Sequence, residues 1–149
     1  MRYRLKVATW VVHREAGQPS PRILGSPEAV ALLARDFLRA ADDDKEHFWV
    51  IFLNTQNRYL MHTLVSTGTQ SAALVHPREV LGPALRVGAA SLILVHNHPS
   101  GDPTPSQEDL RLTRQMVDGA HLLDLRLHDH IIIGNGTEQW VSLAQRRAL

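Results

Sequence analysis

A short apolar run, Ala89 to Val95, has the length of a buried strand and ends directly in His96-Asn97-His98-Pro99. Such a strand belongs inside a sheet, and the strand-to-loop junction at its end is where sites are carried. Side chains two apart on a strand share a face, so His96 and His98 can present imidazole nitrogens together while Asn97 points away. After the loop from Pro99 to Pro105, Ser106-Gln107-Glu108-Asp109 opens a helix and puts Asp109 in its first turn, able to swing back toward the strand end. Three ligands, His96, His98 and Asp109, would leave the fourth tetrahedral position on zinc to a water whose pKa falls from about 16 to near 7. The same Ser-x-x-Asp text is also a capping-box signature, so a purely structural part for Ser106 and Asp109 stands beside the ligand one.

Bulk properties narrow the folds that could carry this site. With 149 residues, 44% of them hydrophobic, the chain fits one domain and is too short for an eight-stranded βα barrel. It has no cysteine, which excludes disulfides, thiolate metal sites and cysteine nucleophiles and leaves His and carboxylate as the strong zinc ligands. A net charge of +1 makes no electrostatic case for nucleic acid or membrane, although the basic residues are almost all arginine, with Lys6 and Lys45 the only lysines. No apolar run approaches the roughly 20 residues of a membrane span, and the N-terminus lacks the apolar core of a signal peptide. A cytoplasmic protein is expected.

Along the chain, residues 3–12 read as a strand, followed by a polar Gly/Pro stretch. Ser26-Pro27-Glu28 starts a helix running to about Ala41, with Val30, Leu33, Phe37 and Leu38 on its core face, and Asp42-Asp43-Asp44 suits a loop. Glu46 to Leu53 and Tyr59 to Ser66 make a hairpin about Asn54-Thr55-Gln56-Asn57. His76-Pro77-Arg78-Glu79 primes a second helix with Val80, Leu81, Ala84, Leu85 and Val87 apolar, ended by Gly88. The helix from Ser106 carries Leu110, Met116, Val117, Ala120 and Leu123. A strand from Arg126 to Ile133, a Gly134-Asn135-Gly136 turn and an edge segment Trp140-Val141-Ser142-Leu143 finish the domain. The expectation is a single α/β domain over residues 1–149, a mixed central sheet flanked by about three helices, with residues 1–41 an N-terminal strand and helix and 42–145 the core.

Rival His-x-His chemistries fit poorly. A binuclear β-lactamase-like site needs Asp and His where Ser100 and Gly101 stand, and a cupin needs Glu where Asp102 or Pro103 stands. The spacing His96-x-His98-x7-Ser106-x2-Asp109 resembles the JAMM metalloprotease motif of the JAB/MPN domain. The text from His96 to Ser106, with His76-Pro77-Arg78-Glu79 upstream and Asp129-His130-Ile131-Ile132 downstream, resembles the RadC branch of that family over about residues 40–145. The resemblance implies a JAB/MPN fold of cytidine-deaminase-like architecture and zinc held by His96, His98 and Asp109. It also implies that Ser106 supports the oxyanion and that a glutamate at the start of an earlier strand activates the water.

Glu46 opens such a strand and is taken as that glutamate. Glu79 is the alternative, with a simpler reading as a first-turn helix acid. For His76, Asp129 and His130 no role follows from the residues. The implied activity is zinc metallopeptidase or isopeptidase action on a peptide or isopeptide-linked protein. A DNA-processing or DNA-binding function is the alternative, with Arg2, Arg4, Arg111, Arg114, Arg146 and Arg147 as phosphate contacts. Full-length RadC-like chains carry an N-terminal helix-hairpin-helix region, and the first 40 or so residues here do not match it. A short form is therefore expected.

Overall fold

A computed structural model describes residues 23–41, 44–68 and 75–149; the strand expected over residues 3–12 lies outside them. The elements are α1 (Pro27–Arg39), β1 (Glu46–Leu53), β2 (Tyr59–Gly68), α2 (Pro77–Arg86), β3 (Ser91–His98), α3 (Gln107–Leu122), β4 (Arg126–Gly134) and β5 (Trp140–Ser142). Among the described residues they form one five-stranded mixed sheet, ordered β2-β1-β3-β4-β5, and three helices. No helix among these residues is long and apolar enough to cross a membrane.

Local chemistry explains the connections. Ser26 caps α1 by accepting a hydrogen bond from the Ala29 amide, with Pro27 at the first helical position. The β1–β2 hairpin turns on Asn54, whose Oδ1 accepts from the amides of Gln56 and Arg58 at 2.9 and 3.0 Å. β3 and β4 run parallel, which a tight turn cannot achieve, and α3 supplies the crossover.

The two central strands are apolar on both faces because both faces are covered. Phe48, Val50 and Phe52 of β1 and Leu92 and Leu94 of β3 pack under α2 and α3, through Val80, Leu81, Ala84, Leu112, Met116 and Ala120. On the opposite face Trp49, Ile51, Ile93, Val95, Ile131 and Ile133 meet Val30, Ala31, Ala34 and Phe37 of α1. The sheet is thus the middle of three layers. Two residues expected inside are at the surface: Leu85 is 52% exposed at the rim of the α2 stripe centred on Val80 and Ala84, and Leu123 is 39% exposed. Leu123 is the C-cap of α3 and leaves helical register, while Leu112 joins Met116 and Ala120 at four-residue spacing to form the inner stripe.

One irregularity matters for the site. Leu92 pairs with Leu127, but the next residue of β3, Ile93, pairs with Asp129, so β4 carries one extra residue at this point. The shift brings His130 to the face shared by Leu94 and His96 and sends Asp129 to the other side. There Asp129 accepts hydrogen bonds from the Ser142 hydroxyl (2.6 Å) and the amides of His130 (2.7 Å) and Ala144 (3.0 Å), pinning β5 and the following turn to β4. Burial pushes the Asp129 carboxyl up, and the donors from Ser142, Ala144 and His130 only partly offset this. Asp129→Ala removes the acceptor for two buried donors and one part-buried donor and is expected to lower stability by about 2–4 kcal/mol. Denaturant unfolding of the two proteins measures the loss, and an unchanged midpoint would contradict the pinning role.

Candidate metal centre

The strand alternation that buries β3 also arranges its polar end. His96 and His98 lie on the α3 face and bring their Nε2 atoms to 3.0 Å. Asp109, in the first turn of α3, turns its carboxylate back so that Oδ1 is 3.2 Å from His96 Nε2 and Oδ2 is 3.3 Å from His98 Nε2. Glu46, at the start of β1, places Oε1 at 3.6 Å from His96 Nε2. One ligand atom from each of these four residues lies within 4.8 Å of every other.

This donor set fits zinc. Nitrogen and oxygen ligands at about 2.1 Å in a tetrahedron are separated by about 3.4 Å, close to the spacing of the two imidazoles and the Asp109 carboxylate. Burial divides the four into two pairs: the side chains of His96 and Asp109 are 0% and 1% exposed, whereas those of His98 and Glu46 are 17% and 16% exposed. The open side of the cluster is therefore formed by His98 and Glu46. Burial pushes the Asp109 carboxyl up, but the imidazoles of His96 and His98, when protonated, outweigh it by hydrogen bonding and charge and hold it far below the usual carboxylate range. Burial likewise pushes His98 down, and is outweighed by Asp109, the Asp102 carbonyl and Glu46, which hold its imidazole above the ordinary value.

The loop after β3 orients His98. Its Nδ1 lies 2.8 Å from the carbonyl oxygen of Asp102, an acceptor only, so Nδ1 carries the proton and a neutral ring keeps a lone pair on Nε2. Asp102 holds that loop by accepting from the amide and hydroxyl of Thr104 at 3.0 and 2.7 Å. Gly101, at φ +89°, takes the turn, and a Cβ on Gly134 would meet the Gly101 carbonyl.

A family model described as the RadC-like JAB domain matches residues 24–148. The chain belongs to the RadC-like JAB domain family. A protein named UPF0758 from Desulforamulus reducens is 44% identical over 134 residues, 89% of this chain and 58% of that protein. UPF0758 proteins from Desulforudis audaxviator (47% identity, 79% of this chain, 49% of that protein) and Methanosarcina acetivorans (44%, 85%, 53%) are similar in the same way. The chain spans about half the length of these relatives.

Within the RadC-like domain, Glu46, His96, His98 and Asp109 come together as the sequence suggested. Glu79 does not join them; it is exposed and caps α2, its Oε2 accepting from the His76 amide at 3.3 Å. The capping reading of Ser-x-x-Asp is realised: Ser106 Oγ accepts from the Asp109 amide (3.1 Å) and Asp109 Oδ2 from the Ser106 amide (2.8 Å); the same carboxylate also faces both histidines, which leaves it placed for the ligand role. Two residues gain a place that sequence reasoning did not assign. His130 lies beneath His96, its Nε2 2.8 Å from His96 Nδ1.

Asn97, buried on the opposite face, accepts from the His47 amide (2.7 Å) and donates to the Lys45 carbonyl (2.8 Å), gripping the backbone on both sides of Glu46. Asn97→Ala removes this grip at a buried position. It is expected to cost about 1–3 kcal/mol in denaturant unfolding, and a crystal structure of the variant should show Glu46 displaced from His96. A variant with wild-type stability and an unmoved Glu46 would contradict the clamp.

Proposed function

We propose that this RadC-like JAB domain is a zinc-dependent hydrolase that cleaves an amide bond, in a peptide or an isopeptide-linked protein. The observation that carries the reading is the convergence of two imidazole Nε2 atoms and two carboxylates at the open end of a sheet covered on both faces. Membership of the JAB family supports it. Zinc bound there would supply Lewis acidity, bringing the pKa of a coordinated water near 7 and polarising the scissile carbonyl.

His96, His98 and Asp109 would hold the ion, the histidines from the end of β3, with His98 oriented by the following loop, and Asp109 from a capped helix start. Glu46 stands farther from His96 than Asp109 does, at 3.6 Å against 3.2 Å, and is open to solvent, as a group that exchanges protons with water must be. It would take a proton from the attacking water and return it to the leaving amine. Ser106 is exposed, and its hydroxyl oxygen already accepts from the Asp109 amide, so its proton is the one available to a developing oxyanion.

The reading is tested by metal analysis together with a screen of peptides, isopeptide-linked conjugates and single-stranded DNA. Glu46→Gln should keep one zinc per chain and lose about 10²–10⁴-fold in turnover. His98→Ala should lose the metal. Undiminished zinc-dependent hydrolysis by the Glu46→Gln protein would overturn the role of Glu46. Processing of single-stranded DNA with no amide cleavage would overturn the peptidase reading.

A further inference from the structure

We infer that Thr113 and His130 form a one-directional hydrogen-bond relay that locks His96 in the tautomer with a bare Nε2, and that this relay closes on Asp109. The inference rests on the metal-centre reading above and adds two positioning residues to it.

The direction follows from what each atom can do. Thr113 Oγ1 lies 2.6 Å from the Asp109 backbone carbonyl oxygen, which only accepts, so the hydroxyl proton is committed there. Threonine hydroxyls in helices often make that bond, and alone it would mean little. The same Oγ1, however, is 2.6 Å from His130 Nδ1. With its proton spent, the hydroxyl can only accept, and His130 Nδ1 must be the donor.

His130 is wholly buried, with Phe48 edge-on at a centroid distance of 5.6 Å. Its two nitrogens face the Thr113 hydroxyl and the His96 imidazole, neither a carboxylate, and a buried charge without an opposite charge against it is strongly disfavoured, so the ring is neutral. A neutral ring with the proton on Nδ1 has a lone pair on Nε2. That atom is 2.8 Å from His96 Nδ1, which is therefore the donor.

His96 then keeps a lone pair on Nε2, the atom facing Asp109 Oδ1 at 3.2 Å and His98 Nε2 at 3.0 Å. The circuit begins at one nitrogen of His96 and returns, through β4 and α3, to the residue whose carboxylate faces the other nitrogen. Phe48 lies nearly parallel to the His96 ring, at 15° and 5.6 Å, and completes a dry wall around the relay. The geometry thereby ties ring orientation, tautomer and the position of Asp109 to one threonine hydroxyl.

Loss of such a partner behind a ligating histidine typically weakens metal binding about 10–100-fold. Thr113→Val keeps the shape and removes the hydroxyl. Zinc affinity, measured by competition with a chromogenic chelator, should fall by about that factor, and Thr113→Ser should recover most of it. Long-range proton–nitrogen correlation spectra of the zinc-loaded wild type should show His130 protonated at Nδ1 and not at Nε2.

A folded Thr113→Val protein with wild-type zinc affinity would overturn the relay while leaving the metal centre standing. So would a proton on His130 Nε2, a result that needs no variant and decides the matter if Thr113→Val does not fold. A wild-type chain that binds no zinc would overturn the metal centre itself, and the relay with it.

Discussion

His96 is wholly buried near the end of a strand that is covered on both faces, and a ring with two polar nitrogens in such a place needs a partner at each. The rest of the site can be understood as the answer to that requirement. One nitrogen meets His130, which is there because β4 carries an extra residue opposite β3. The other, a bare lone pair on the reading above, faces the Asp109 carboxylate across the space a cation would fill, and that carboxylate is there because α3 begins at the point where the proline-rich loop returns to the sheet. Neither partner is adjacent in sequence. The crossover from β3 through α3 to β4 delivers both, and the parallel pairing it creates sets their heights along the sheet.

Asp109 shows why helix caps and ligand sites share sequence signatures. A carboxylate three residues into a helix start is favoured there by the unpaired amides and by the helix dipole, whatever else it does. Here one oxygen, Oδ2, accepts from the Ser106 amide at 2.8 Å and lies 3.3 Å from His98 Nε2. The cap fixes the carboxylate without using up its capacity, since each oxygen has two lone pairs. Capping and ligation are thus compatible at one residue, and a choice between them cannot be made from the motif alone.

How much of this was legible in the sequence depends on whether a feature is local. The helix starts at Ser26-Pro27 and Ser106, the hairpin at Asn54 and the apolar run of β3 are local, and each lies where its residues place it. The choice between Glu46 and Glu79 is a matter of strand register. Phe48 pairs with His96 at the end of the antiparallel β1–β3 ladder, so alternation puts Glu46, two residues away, on the same face as His96 and His98, where its Oε1 reaches His96 Nε2 at 3.6 Å. Nothing in the text of either strand announces that pairing. The place of His130 was hidden for a similar reason, because simple alternation without the extra residue in β4 would have brought Asp129, not His130, to the face of His96. The side chain of Asn97 was expected to point away from the site, and does. Its clamp on residues 45 and 47 depends on the same β1–β3 pairing.

The division of the cluster into a buried and an exposed pair has a mechanical consequence. His96 and Asp109 are tied into the core by bonds from three elements, β3, β4 and α3, so their relative position can change only if the layers move. His98 and Glu46 are held by backbone-directed contacts at strand ends, through the Asp102 carbonyl in one case and Asn97 in the other. A hydrolytic site needs both kinds of support: a metal must be held in fixed geometry, and a proton-carrying group must stand where water and substrate can reach it. On the proposed reading, a mutation in the core beneath His96 should therefore act first on the metal, and one in the clamp behind Glu46 first on turnover. That separation would be hard to obtain if all four residues came from one loop, and it follows here from drawing them from two strand ends and a helix start.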